Sequence, residues 1–396
     1  MRKVYLDYAA TTPVRPEVVS AMAPYWAEKF GNPSSIHTWG REAREVIEQA
    51  RASIAASLGA EPEEIIFTSS ITTSDNLAVA GVINALPQKR GHLVTTQIEH
   101  HAILDLFKSL EKQGFEVTYL PVDKNGLVDL EILRQSLRPE TILVSIMFAN
   151  NEVGTIQPIA EIGDLVKEIG EELNREILFH TDAATVMEYL PVKVKELKVD
   201  LLSFGPHKFG GPKGVGVLYI KKGVKLAPLT FGGHHEQGLW PGTEPTPLIV
   251  GTAAALELAA KERETAVVRV KKLRDRLIAG VLEKIPDTRL TGDEVKRLPN
   301  MASFIFKGVE GEAVLLRLDA EGIAASSGSA CTSGDLRPSH VLLAMGIPAE
   351  EAHGSVRFSL GRETTSEDID YVLEKLPEII KILREITPNL CLTEEA

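Results

Sequence analysis

SFGPHKFGGPKGVG (residues 203–216) sets a histidine and a lysine side by side among glycines and prolines. The run leading into it, DLLSFG (200–205), is apolar enough for a buried strand, and GVGVLYI (214–220) reads as another. His207 and Lys208 therefore stand at a strand end. A lysine there can act through its charge or through its nitrogen as a nucleophile.

Outward from this stretch the same grammar repeats. EIIFTS (64–69), HLVTTQ (92–97), EVTYLPV (116–122), TILVSIMFAN (141–150) and EILFHTD (176–182) are further strand-like runs. Between several of them lie amphipathic segments such as ILDLFKSLEKQG and IAEIGDLVKEIGEEL, with apolar residues at helical spacing. Nearly all-apolar strands alternating with helices predict an α/β chain with a mainly parallel seven-stranded sheet covered on both faces. Ligands of such sheets gather at the carboxyl ends of the strands. Thr72, His100, Asn151, Asp182, His207 and Lys208 all fall at such ends. From about residue 246 to 285 the pattern becomes one long helical run. It predicts a bridge from a large domain, residues 15–258, to a smaller α+β domain, residues 259–396, completed by residues 1–14.

Composition narrows the class. The 396 residues are 44% hydrophobic and 25% charged, with a net charge of −12. That balance argues against a general nucleic-acid or anionic-membrane surface. No apolar run reaches the ~18–20 residues of a membrane span, and the first residues lack the apolar stretch of a signal peptide. Two cysteines, Cys331 and Cys391, cannot make a disulfide framework. A cytoplasmic enzyme is the expectation, with no metal site.

A lysine, a strand-end aspartate, a histidine and a helix start able to accept phosphate together point to pyridoxal 5'-phosphate (PLP). A lysine amine can hold that cofactor covalently, and a carboxylate keeps its pyridine nitrogen protonated so that the ring acts as an electron sink. A helix N-terminus offers N–H donors to the phosphate. Asp182 ends FHTD, Lys208 follows SFGPH, and SSITTSDN (69–76) lies where the phosphate turn belongs.

The chain here resembles the NifS/IscS-type cysteine desulfurases, within the fold-type I, class V aminotransferase family of PLP enzymes. The resemblance runs through YLDYAATTPV, FGNPSSIHTWGREAR, EHHAILD, TILVSIMFANNEVGTIQPI, VDLLSFGPHKFGGPKGVGVLYI, ASSGSACTS and VRFSLGR. It implies a PLP-dependent transferase of fold type I, a homodimer that converts L-cysteine to L-alanine and leaves the sulfur as a persulfide. By position, Lys208 matches the cofactor-binding lysine, and His100 the histidine that stacks on the ring and moves protons. Asp182 matches the pyridine-nitrogen partner, and Asn151 an asparagine on the ring-oxygen side. Thr72 and His207 match phosphate contacts, while Thr243 matches one given by the second subunit. Asn32 and Arg357 match the groups that hold the substrate carboxylate. Cys331, in the small and polar SSGSACTSGD, matches the persulfide carrier of the long-loop branch that feeds iron–sulfur scaffold proteins or tRNA thiolation. Cys391 is incidental on this reading.

The departures from the family pattern gather in the cofactor shell. Ser70, Ile71 and Thr73 replace a glycine-rich, glutamate-ending turn, and Thr185 stands where a glutamine usually bonds the phenolic oxygen. Gly205 and Pro206 stand where a serine usually serves the phosphate, and Trp240 and Pro241 replace Arg-Ser. Gly205→Ser with Thr185→Gln is therefore expected to tighten PLP. Two alternatives remain at this level. One is another PLP reaction on a small amino acid, such as selenocysteine lysis, β-elimination or transamination, which needs no Cys331 thiol. The other is a desulfurase-like partner protein with a weakened cofactor site.

Overall fold

The computed structural model describes residues 2–87, 90–328 and 337–386. Among them β1 (Val4–Tyr5) comes first, followed by the strands of one large sheet. These are β2 (Ile65–Thr68), β3 (His92–Thr96), β4 (Glu116–Leu120), β5 (Thr141–Ser145), β6 (Leu178–Asp182), β7 (Leu201–Phe204) and β8 (Gly216–Ile220). Their order across the sheet is β2-β8-β7-β6-β5-β3-β4. All pairs between β4 and β7 are parallel, and β8 runs antiparallel to both β7 and β2. Each apolar run of the sequence supplies one strand, and together they form the expected mainly parallel seven-stranded sheet. TILVSIMFAN is cut short: β5 stops at Ser145, and the next residues turn to bond the end of β6 (Ile146 N–H to His180 O, 3.1 Å; Phe148 N–H to Asp182 O, 2.8 Å).

Central strands are buried throughout, whereas β4, at one edge, is mostly half-exposed. That is the cost of having a neighbour on one side only. The opposite edge, β2, is covered by a buried ion pair instead. Arg51 donates to the Ile65 carbonyl (2.7 Å) and to Glu236 (2.8 and 2.9 Å), while Glu236 accepts the Phe67 N–H (2.8 Å).

The C-terminal part is built on β9 (Thr288–Leu290), β10 (Met301–Phe306) and β12 (Ser355–Ser359), ordered β12-β10-β9 and antiparallel. A short strand β11 (Ile323–Ala324) pairs in parallel with β1, so the first residues join this part rather than the large sheet. One helix, Thr246–Lys284, links the two cores. Its first turns bury Ile249, Ala255, Leu256 and Ala259 against the large sheet, and its last turns bury Val270, Leu277 and Val281 against Phe304 and Phe358. The stretch between, KERETAVVR (261–269), is charged and largely uncovered, as a helix crossing between two cores should be. Among the described residues no helix is long and apolar enough to cross a membrane.

Candidate active site

Lys208 ends a single 3₁₀ turn, Pro206–Lys208, directly after β7. Its Nζ donates to the carbonyls of Ala9 (2.7 Å) and Ala10 (2.9 Å). The same N-terminal stretch holds the turn from the other side. Thr12 N–H and Oγ1–H both reach the His207 carbonyl (2.9 and 3.0 Å), and Thr12 Oγ1 accepts the Gly210 N–H (2.8 Å). His207 Nδ1 lies 3.2 Å from Thr11 Oγ1. Residues 9–12 are thus a latch on the lysine turn, a role that no pattern in DYAATT announces.

Three titratable groups feel the Lys208 charge. Asp182, at the end of β6, is buried, accepts the Ala184 N–H (2.8 Å), and is pushed up by burial while that N–H and Lys208 pull it back toward ionisation. His100 is lowered to about 4, mainly by burial and then by Lys208 and His101. It is therefore neutral at physiological pH. Its Nδ1 accepts the Ala102 N–H (3.1 Å), so its one proton sits on Nε2. His207 is likewise lowered to about 4, by burial first and then by Lys208 and Lys213.

The helix Ile71–Ala85 starts right after β2. Ser70 and Thr73 cap it reciprocally: Ser70 Oγ accepts the Thr73 N–H (3.1 Å), and Thr73 Oγ1 accepts the Ser70 N–H (2.9 Å). The N–H groups of Ile71 and Thr72 make no hydrogen bond among the described residues. Two open donors at a helix start, with the exposed Thr72 hydroxyl beside them, suit a phosphate. Beside them, β7 is followed by Gly205, where a Cβ would come within 2.5 Å of Ile71 Cγ1 and 3.1 Å of its Cδ1. Ile71 already fills the space a serine side chain needs. This packing argues against the expectation that Gly205→Ser tightens the cofactor, since the two departures fit one another. Thr185 donates its hydroxyl to the Ala149 carbonyl (3.1 Å), which leaves no proton on it for a phenolic oxygen.

Arg357, on β12, closes the site from the C-terminal part. Its Nη1 donates to the Asn151 carbonyl (2.9 Å), its Nη2 pairs with Asp7 (2.9 Å), and its buried Nε has no acceptor among the described residues. Next to Asn151, buried Glu152 accepts the Ser339 hydroxyl, and a Cβ on Gly328 would lie 2.2 Å from Glu152 Oε2. Ser326 exchanges both backbone hydrogen bonds with Arg357 (3.1 and 2.6 Å). Residues 326, 328 and 339 therefore all lie against the Asn151–Arg357 corner. Cys331 and Cys391 lie outside the described residues.

Two expected residues stand apart. Asn32 is exposed, and its carboxamide accepts the Ser34 N–H (2.9 Å) within its own turn. Thr243 is exposed on the loop before the long helix. Among the described residues neither is hydrogen-bonded to the Arg357 side chain. Asp7, which pairs with Arg357, and the buried Asp75, Glu99 and His180, which lie near Asp182, are not legible as site residues in the sequence; the one hint is a polar residue inside an apolar run, as with His180 in ILFHTD. The donor set nonetheless fits PLP: an amine, a buried carboxylate, a neutral imidazole and an open helix start.

The aminotransferase class-V family profile matches residues 4–372. The chain is 53% identical to the cysteine desulfurase IscS of Dictyoglomus turgidum, over 98% of this chain and 97% of that one. It is 54% identical to the cysteine desulfurase IscS of Methanosarcina thermophila, over 98% and 94%. Among solved structures, a NifS-like protein superposes with a TM-score of 0.90 at 40% identity, over 96% of this chain and all of that one. A protein described as SspA in complex with cysteine gives 0.79 at 36% identity, over 92% and 100%. The chain belongs to the class-V aminotransferase family and, within it, to the NifS/IscS-type cysteine desulfurases.

Proposed function

We propose that this PLP-dependent cysteine desulfurase works through Lys208, His100, Asp182, Arg357 and Cys331, converting L-cysteine to L-alanine with the sulfur left as a persulfide on Cys331. The observation that carries the reading is the gathering of Lys208, His207, His100 and the buried Asp182 at the carboxyl ends of strands of one sheet, where the lysine charge bears on the other three.

When bound, PLP supplies an electron sink for the substrate's bond changes. The chain supplies the rest. Lys208 tethers the cofactor through its amine, which the Ala9 and Ala10 carbonyls hold in place. Asp182 stays ionised to pair with the pyridine nitrogen, helped by the Ala184 N–H. Thr72, His207 and the open N–H groups of Ile71 and Thr72 hold the phosphate, with Thr243 added from the second copy of a homodimer. Asn151 and Thr185 border the ring-oxygen side. Arg357 takes the substrate carboxylate with its planar fork, and Asn32 assists. His100, carrying its proton on Nε2, is poised to give that proton to the reacting substrate. The Cys331 thiolate attacks the substrate sulfur as the substrate's carbon–sulfur bond breaks, the electron pair staying with the carbon that is protonated to alanine's methyl group. The outer persulfide sulfur then passes to an acceptor protein, such as an iron–sulfur scaffold, or toward tRNA thiolation, in the cytoplasm.

Borohydride treatment of the PLP-loaded protein is expected to fix the cofactor on Lys208, read by mass spectrometry of a digest. Label on Lys213, or none, removes the assignment. Cys331→Ala is expected to keep the PLP spectrum and bind cysteine yet release no alanine. Undiminished alanine would turn the reading toward a thiol-independent lyase.

A further inference from the structure

Asp75 is a buried carboxyl group with both oxygens unsatisfied among the described residues. It lies on the helix Ile71–Ala85, is fully buried, and among the described residues neither of its carboxyl oxygens has a partner at good hydrogen-bond geometry. Leaving a buried charge in that state is far too costly for a stable fold, so a proton or a cation must neutralise it. Among the described residues no lysine or arginine pairs with it. The basic group beside it is His180, with Nε2 3.6 Å from Asp75 Oδ1. That imidazole lies between two hydroxyls, Ser145 Oγ at 2.9 Å from Nδ1 and Ser203 Oγ at 3.0 Å from Nε2. Burial holds it neutral, lowered to about 3.

The neighbours on β6 and β7 then decide which carboxyl keeps the proton. His180 and Asp182 are two residues apart on β6, hence on one face of the sheet, the face that the helix carrying Asp75 covers. Ser203 is the β7 residue in register with Asp182. Two like charges in one dry space cannot both ionise. Asp182 has a backbone N–H donor and the Lys208 charge; Asp75 has neither. We propose that Asp75 is a positioning residue that carries a proton, so that Asp182 alone keeps the negative charge presented to the cofactor ring. The charged or titratable groups facing it are Asp182 and His180 from β6 and Glu99 from the segment after β3. Burial, then the Asp182 charge, push the Asp75 carboxyl well above its ordinary range, and the nearby Ser203 hydroxyl opposes them only in part.

The inference rests on the PLP reading for its consequence but not for its core, and the test separates the two. Infrared difference spectra of the full chain, wild type against Asp75→Asn at neutral pH, should show a protonated-carboxyl C=O band lost in the variant, with or without PLP. In the PLP-loaded protein, Asp75→Asn, which mimics the neutral acid, should bind PLP within about twofold of wild type at neutral pH. Wild-type affinity should fall about tenfold or more as pH rises and Asp75 deprotonates beside Asp182, one pH unit past its titration point per tenfold; Asp75→Asn should lack that fall. Absence of the infrared band, or a tenfold loss of PLP affinity in Asp75→Asn at neutral pH, overturns the proposal. An infrared band with no PLP bound to Lys208 would instead sink the cofactor reading and leave the protonated Asp75 standing.

Discussion

Two helices begin at the carboxyl ends of strands of the same sheet and close their first turns in opposite ways. After β2, the helix Ile71–Ala85 is capped by its own hydroxyls, Ser70 with Thr73, and leaves the N–H groups of Ile71 and Thr72 open. After β3, the helix His101–Lys112 is capped by an imidazole. His100 Nδ1 takes the Ala102 N–H, and its carbonyl takes those of Ile103 and Leu104. The first arrangement makes an anion cradle. The second uses up the helix start to fix which nitrogen of a histidine carries the proton. Local capping chemistry, the same physics in both places, thus yields a binding site in one and an oriented acid in the other.

The sharpest way to break this comparison is at His100. His100→Ala removes both cap and Nε2 proton, so turnover should fall by about 10²–10⁴-fold, with a stability loss of about 0.5–2 kcal/mol. His100→Asn restores a good cap without the proton. It should recover the melting temperature while turnover stays low; joint recovery would mean the imidazole serves only as a cap.

At the other helix start the expected effect is smaller and steric. Gly205→Ser drives its side chain into Ile71, and overpacking of this kind costs about 1–3 kcal/mol. Melting temperature and PLP affinity, by dialysis and fluorescence titration, should both drop. Ile71→Ala with Gly205→Ser should recover both. If Gly205→Ser alone tightens PLP, Ile71 has room to move aside and the two positions are independent.

Ser70→Ala should cost about 1 kcal/mol of stability, since only a cap is lost. PLP affinity should change less than in Gly205→Ser, because the Ile71 and Thr72 donors are untouched.

The pH response should be the mildest effect. Half-buried His100 and His207, at about 4, stay unprotonated in the fold while the unfolded chain takes up protons near 6.5. They make stability fall as pH drops from about 6.5 through 4. Glu99 is raised to about 8 by burial, opposed by the Met147 N–H and the Thr96 hydroxyl. Its stabilising proton is held below about 4.5 in both states, and stability is lost as pH rises through about 8. Melting temperature should therefore decline between pH 6.5 and 8, and Glu99→Gln should flatten that decline. An unchanged slope in Glu99→Gln would assign it to another carboxyl, such as Glu152, raised to about 7 by burial.

By itself the sequence determined the seven strands, their alternation with helices and the strand-end positions of Lys208, His100 and Asp182. Those features follow from side-chain periodicity and chain punctuation, which act over a few residues. The tertiary structure decided what such signals cannot reach. Lys208 meets Ala9 across 199 positions, and Arg357 meets Asp7 across 350. Gly205 reads as a lost serine until Ile71, from another strand's end, is seen filling its space. Asp75 reads as an ordinary polar residue of a helix until the fold buries it beneath Asp182. Which side chains share a dry volume is set by how the sheet and helices pack, and that packing fixes where a proton must sit.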